Sequence, residues 1–243
     1  MQKKKTFILL GTALLLSAAL IFLLKRPQQD KKSTEVLIKL PIPKFQGITL
    51  EQAISSRRSQ KDYTGRPISV EQLSQLLFAA YGVTGKDFDR PLRSAPSAGA
   101  IYPFEIYAAV NNVKEISPGI YKYDGLTHSL KFLRGGEFLR EIISASYGQD
   151  FMEESSVVLI LSVSPDKMIE RYGQRGWRYL YMEAGHISEN IYLEAVSLGL
   201  GSVSVGAFID EQMDKVLGVD GIKEKVLYLQ SVGAINEKRG VNQ

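Results

Sequence analysis

Arg57, Ser59 and Lys61 alternate within Arg57-Arg58-Ser59-Gln60-Lys61-Asp62-Tyr63. In an extended segment alternate side chains share a face, so two cations and a hydroxyl would point the same way. A guanidinium grips a phosphate with two N–H donors, and a hydroxyl adds a third. Further along runs Arg93-Ser94-Ala95-Pro96-Ser97-Ala98-Gly99-Ala100-Ile101-Tyr102-Pro103-Phe104-Glu105. Its small residues let a ligand approach the backbone, and Gly99 can take a positive φ. Taken alone, the first stretch is a solvated basic helix end and the second a surface loop entering a strand. Taken together they supply what a phosphorylated, planar cofactor needs.

Other chemistry is poorly provided for. The chain has two histidines and no cysteine, which speaks against a structural zinc site. His186 has Glu183 and Glu189 one turn away on either side. That spacing suits a general base or, more simply, a hydrogen bond on a helix surface. His128 reads as a solvated hairpin residue. No nucleophile elbow accompanies a Ser-His-Asp set. The run Gly199–Gly206 lacks G-x-G-x-x-G spacing and leads from helix to strand, the reverse of a dinucleotide-binding turn. A bound organic cofactor would have to carry the chemistry.

The elements that position these residues are legible. Thr49-Leu50-Glu51-Gln52 and Ser69-Val70-Glu71-Gln72 are capping boxes that open two helices. The second sets Val70, Leu73, Leu76, Leu77 and Ala80 on one face and ends at Gly82, before a polar loop at 82–95. Strands are expected at 104–110, 157–161, 202–208 and 226–232, and a hairpin around Asp124-Gly125. Residues 36–38 could add an edge strand, and a short helix follows at 137–145. The longest helix, 177–198, carries the stripe Leu180, Ala184, Ile187, Ile191, Ala195 and Leu198 beside a face of mostly small residues. Such a helix is buried between layers or against a partner. Sheet and helix without strict alternation indicate an α+β fold.

Residues 1–26 read as a membrane anchor or signal segment, 27–48 as a linker and 49–243 as the folded domain. Phe7–Leu24 is an uncharged run of 18 residues, at the short end of a bilayer span. The expectation is an uncleaved single-pass anchor in the cell membrane with the domain on the outer side, or a secreted protein if the segment is cleaved. Of the 30 basic residues, five fall in that segment, leaving 25 against 26 acidic. The net charge of +4 therefore gives nucleic-acid binding no support.

With Arg57-Arg58-Ser59, 73–82, Ala95–Pro103, Pro118–Tyr123, Glu183-Ala184-Gly185-His186 and Val205-Gly206-Ala207-Phe208 in this order, the chain resembles the nitroreductase superfamily, most closely its SagB-type dehydrogenase branch. The likeness spans roughly Leu40 to Gly233. It implies a mixed central sheet flanked by helices, in an intertwined homodimer with FMN at the subunit interface. It also implies that Arg57, Arg58, Ser59, Lys61, Ser97, Ala98, Gly99, Ser204, Gly206, Ala207 and Arg239 bind the cofactor. Lys61 would reach the N1/O2 edge of the flavin and stabilise the charge of the reduced ring. SagB-type azoline oxidases carry a Lys-Tyr pair ahead of the long helix, where this chain has Arg171-Tyr172. Tyr172 is thereby a second catalytic candidate, whereas arginine is a poor base. Glu189 stands where the family usually has Gln.

The expected activity is an FMN-dependent oxidoreductase working by ping-pong hydride transfer through flavin N5. NAD(P)H is the candidate donor and a nitroaromatic, quinone or enone the acceptor. The alternatives are SagB-type oxidation of a peptide or secreted metabolite, and a flavin-binding module without turnover.

Overall fold

In the computed structural model, which describes residues 36–236, the apolar run Val157–Val163 is a strand buried at every position. The strands in chain order are β1 Leu37–Lys39, β2 Val83–Asp87, β3 Arg90–Arg93, β4 Phe104–Val110, β5 Gly119–Asp124, β6 Ser129–Gly135, β7 Val157–Val163, β8 Leu200–Val205 and β9 Lys225–Ala234. The helices are α1 Leu50–Ser56, α2 Val70–Tyr81, α3 Leu139–Ala145, α4 Asp166–Tyr172, α5 Gly176–Ser197 and α6 Asp210–Leu217. A seven-stranded sheet has the order β1-β6-β5-β4-β7-β9-β8, and β2 pairs only with β3. Every pairing of named strands is antiparallel. The parallel pairing among the described residues is the bridge between Ile68 and Val113, outside those strands.

The period-2 alternation of strand side chains gives the sheet two apolar faces. Phe104, Ile106, Ala108 and Val110 of β4, with Val157, Leu159 and Leu161 of β7, join Leu73, Leu76 and Leu77 of α2 and Leu180, Ile187 and Ile191 of α5. Tyr107 and Ala109, with Val158 and Ile160, turn the other way onto Ile142 of α3 and Met213 and Leu217 of α6. Helices therefore cover both faces, so each apolar side of the sheet is buried against a helical layer.

The two capping boxes form as the sequence indicates. Thr49 and Ser69 each accept from the backbone N–H of the glutamine three residues on, whose side chain caps them in return. Gly199, at φ +68°, ends α5. The segment read as a polar loop at 82–95 is instead the hairpin β2–β3. Its sequence lacks apolar alternation because it pairs only with itself. The helices α4 and α6 were not anticipated, since each is too short to show a sustained period.

The expected transmembrane helix is corrected. Among the described residues no helix is long and apolar enough to cross a membrane. The longest, α5, carries four charged residues along its length, Arg178, Glu183, Glu189 and Glu194. The run Phe7–Leu24 lies outside the described residues. The placement built on it, anchored in the membrane or secreted after cleavage, has no support among the described residues.

Candidate functional site

Two groups of the expected residues form, at different heights on α5. The first centres on Tyr192. The extended segment after α1 brings Ser59 Oγ to 3.2 Å from the Tyr192 hydroxyl. Ser204 of β8 meets the same oxygen with its own hydroxyl at 3.1 Å and donates its backbone N–H at 2.8 Å. The Arg57 guanidinium lies 5.2 Å from the centre of the Tyr192 ring and 3.8 Å from a Glu189 carboxylate oxygen. Helix α1 stops at Arg57 because the backbone there turns extended (ψ 126°), which sets the alternation that aims Arg57 and Ser59 one way.

Lys61 continues this edge, with its ammonium 4.5 Å from the centre of the Phe151 ring. Gly206 and Ala207 are exposed beyond the end of β8, and the Ala207 carbonyl accepts from the Gln149 amide at 3.0 Å. Arg58 turns back onto the carbonyls of Ser55 and Arg57. With Gln60, Val196, Gly199 and Ile235 it lines a cavity of about 170 Å³. Arg239 lies outside the described residues.

The second group surrounds Glu183. Its carboxylate is 1% exposed and accepts from the Tyr81 hydroxyl at 2.6 Å and from Ser97 Oγ at 2.7 Å. Burial pushes the Glu183 carboxyl up; the two hydroxyls and the charge of Arg93 oppose that shift. Ser97 opens a one-turn loop in which Gly99 has φ +63°. A Cβ built on Gly99 would lie 2.6 Å from both an Arg171 nitrogen and the Tyr172 hydroxyl, so the tips of both side chains sit close against this turn. Arg171 donates to the Gly99 carbonyl at 3.2 Å, and Tyr172 stacks edge-on against Tyr179 at 4.9 Å. Ala98 packs on the main core.

The two groups do not coincide. Glu183 and Tyr192 are nine residues apart on α5, which is about 13 Å along a helix axis. Sequence reasoning did not single out Tyr192, Tyr81 or Phe151. Tyr192 had only its place on the second helical face to mark it. Glu183 had a better signal, a carboxylate set among the stripe residues Leu180, Ala184 and Ile187. His186 is exposed. His128 is not the solvated residue expected: its ring nitrogens bond Tyr123, Ser74 and the Pro41 carbonyl.

An antiparallel sheet between helical layers, with a cation–hydroxyl edge and a small-residue loop along its longest helix, defines an α+β domain. The chain belongs to the nitroreductase family, whose model matches residues 54–234, and it is accordingly an oxidoreductase. It is 41% identical over 196 residues to the nitroreductase-like protein MJ1384 of Methanocaldococcus jannaschii, covering 81% of this chain and 96% of that one. It is 24% identical over 177 residues to the microcin B17-processing protein McbC of Escherichia coli, covering 71% of this chain and 64% of the relative. A solved nitroreductase-like structure from Ralstonia eutropha superimposes with a TM-score of 0.71 at 27% identity, over 83% of this chain and 90% of that one.

Proposed function

We propose that this chain is an FMN-dependent oxidoreductase whose site is shared between two protomers. The observation that carries this is the Tyr192 junction, which ties Ser59, Ser204 and the Arg57 guanidinium to one side chain. Arg57 and Ser59 hold the phosphate, and Lys61 faces the ring edge, where a cation stabilises the charge of the reduced flavin. The exposed Gly206 and Ala207 leave room for a planar ring beside β8. The Ser97–Gly99 loop is held by Glu183, about 13 Å from Tyr192 along α5, so the loop and the basic edge form separate groups within one chain. A second protomer, with its own loop turned toward this edge, completes the pocket. When bound, FMN supplies two-electron chemistry at N5, with NAD(P)H as donor and a nitroaromatic, quinone or enone as acceptor.

The absorbance spectrum tests the cofactor. The purified protein, or the protein incubated with FMN, should show bands at about 370 and about 450 nm, the absorption of oxidised flavin. A colourless protein that takes up no FMN refutes the assignment. Arg57→Ala removes the bidentate donor and should weaken FMN retention by tenfold or more, the scale of a charge-assisted hydrogen bond. An unchanged flavin content would contradict the phosphate role.

SagB-type oxidation of a peptide or secreted metabolite is the second reading. It is favoured by the match to McbC and by Tyr172, whose hydroxyl lies against Gly99. Arg171, however, is engaged with the Gly99 carbonyl and stays protonated, so it is not the base that such oxidation needs. Flavin bleached by NAD(P)H and reoxidised by a quinone supports the first reading; bleaching by an azoline peptide alone supports the second.

A further inference from the structure

A buried carboxylate is a poor way to stabilise a helix. Removing a charge from water is costly unless its partners are excellent, and an apolar residue at position 183 would simply extend the stripe of Leu180, Ala184 and Ile187. Glu183 is nevertheless 1% exposed, and among the described residues it forms no ion pair within 4.0 Å. Its partners are the two hydroxyls of Tyr81 and Ser97. Tyr81 is itself held from behind, with the Arg93 guanidinium 4.5 Å from its ring centre and donating to its carbonyl at 2.8 Å.

The chemistry of a carboxylate fixes the direction of these bonds. An ionised carboxylate only accepts, so both hydroxyl hydrogens must point at Glu183. The lone pairs of Ser97 Oγ are then free for the backbone, and the Tyr102 N–H donates to that oxygen at 2.9 Å. The Ser97 carbonyl accepts from the Ala100 N–H at 3.0 Å. Two bonds to one serine thus close the turn. The turn needs them, because Gly99, Ala100 and Tyr102 all have positive φ, at 63°, 52° and 51°. For residues with a Cβ that region is disfavoured and persists only where the surroundings over-determine it.

We propose that Glu183 is a positioning residue, acting through Ser97 to hold the 97–102 loop in the shape that receives the cofactor. The inference rests on the reading that this loop faces the flavin. Glu183 touches no ligand; it orients the serine hydroxyl, and the serine shapes the loop. A glutamine cannot substitute, although it has the same size. Its amide N–H₂ donates, so one of the two hydroxyls must reverse. If Ser97 reverses, its oxygen is taken by the amide and the bond from Tyr102 is weakened.

The test is a double-mutant cycle on the full chain, reading FMN dissociation constants by fluorescence titration and apo-protein melting temperatures. Ser97→Ala and Glu183→Gln should each weaken FMN binding roughly tenfold, the scale of a hydrogen bond to a charged group. The double variant should be within about twofold of Ser97→Ala alone, because residues acting in series are not additive. Apo Glu183→Gln should melt within a few degrees of the parent, since the substitution removes a buried charge. Additive losses in the double variant would overturn the inference, as would unchanged FMN affinity in Glu183→Gln when Ser97→Ala is impaired. A melting drop that accounts for all the lost affinity would also overturn it, by reducing Glu183 to a structural role. If Ser97→Ala binds FMN normally, the loop does not face the flavin, and the reading and the inference fall together.

Discussion

Tyr192 shows how much one hydroxyl organises at the level of single residues. It meets Ser59, Ser204 Oγ and the Ser204 N–H, so it joins the basic segment to the sheet edge. Tyr192→Phe keeps the ring beneath Arg57 but removes these bonds. We expect it to cost about 1–2 kcal/mol, measured by chemical denaturation, and to loosen FMN severalfold. A variant as stable and as tight as the parent would count against the junction. His128 sets a pH dependence. The Pro41 carbonyl can only accept, so Nε2 carries the hydrogen and Nδ1 accepts from Tyr123. Burial holds the imidazole below its ordinary range, opposed by the bond to Pro41. The unfolded chain therefore binds the proton more readily. Stability is fully present above about pH 6.5, the unfolded value, and falls as pH drops toward the lower folded value. Melting scans between about pH 7.5 and about pH 5.5 (roughly one unit either side of that value) should show the fall, and His128→Gln should flatten it.

Among the elements, the helix starts depend on local chemistry. Ser69 accepts from the Gln72 N–H at 3.2 Å, while the Gln72 side chain returns to the Ser69 N–H at 2.9 Å. Ser69→Ala should cost about 1 kcal/mol, read as a lower melting temperature with no change in FMN affinity per folded molecule. A loss of affinity beyond that would mean that α2 reaches the site by more than its fold. Helix α5 is the element that everything else addresses. It buries Leu180, Ile187 and Ile191 against the sheet and supplies Glu183 and Tyr192 to the two hydrogen-bonded groups. The hairpin β2–β3 escaped sequence reading because it has no buried face: Thr84, Gly85, Lys86 and Asp87 are all exposed.

At the scale of the whole molecule, the sheet separates two cores and carries the site along one layer. Ile160 lies in the middle of β7, fully buried in the core away from α5. Ile160→Ala should cost about 2–5 kcal/mol by denaturation. It should leave the FMN affinity of the remaining folded protein unchanged, since the Tyr192 and Glu183 groups belong to the opposite layer. An affinity loss matching that of Tyr192→Phe would show that the layers are coupled. The proposal that the site is shared between two protomers predicts that flavin binding and dimerisation are linked. Dilution below the dimer dissociation constant should release FMN.

Near-neighbour chemistry could be read directly from the sequence. The capping boxes at Thr49 and Ser69, the all-apolar β7, the stripe on α5 and the alternation of Arg57, Ser59 and Lys61 each depend on residues a few positions apart, where spacing alone fixes which side chains share a face. The likeness to the nitroreductase family rests on the same short motifs. What tertiary structure decided were the partners at long range. Ser59 meets Tyr192 across 133 residues, Ser97 meets Glu183 across 86, and the half-buried His128 meets the Pro41 carbonyl across 87. No local period encodes such pairs. They follow from how the layers stack, which also brought Ser97 to Glu183, about 13 Å along α5 from Tyr192.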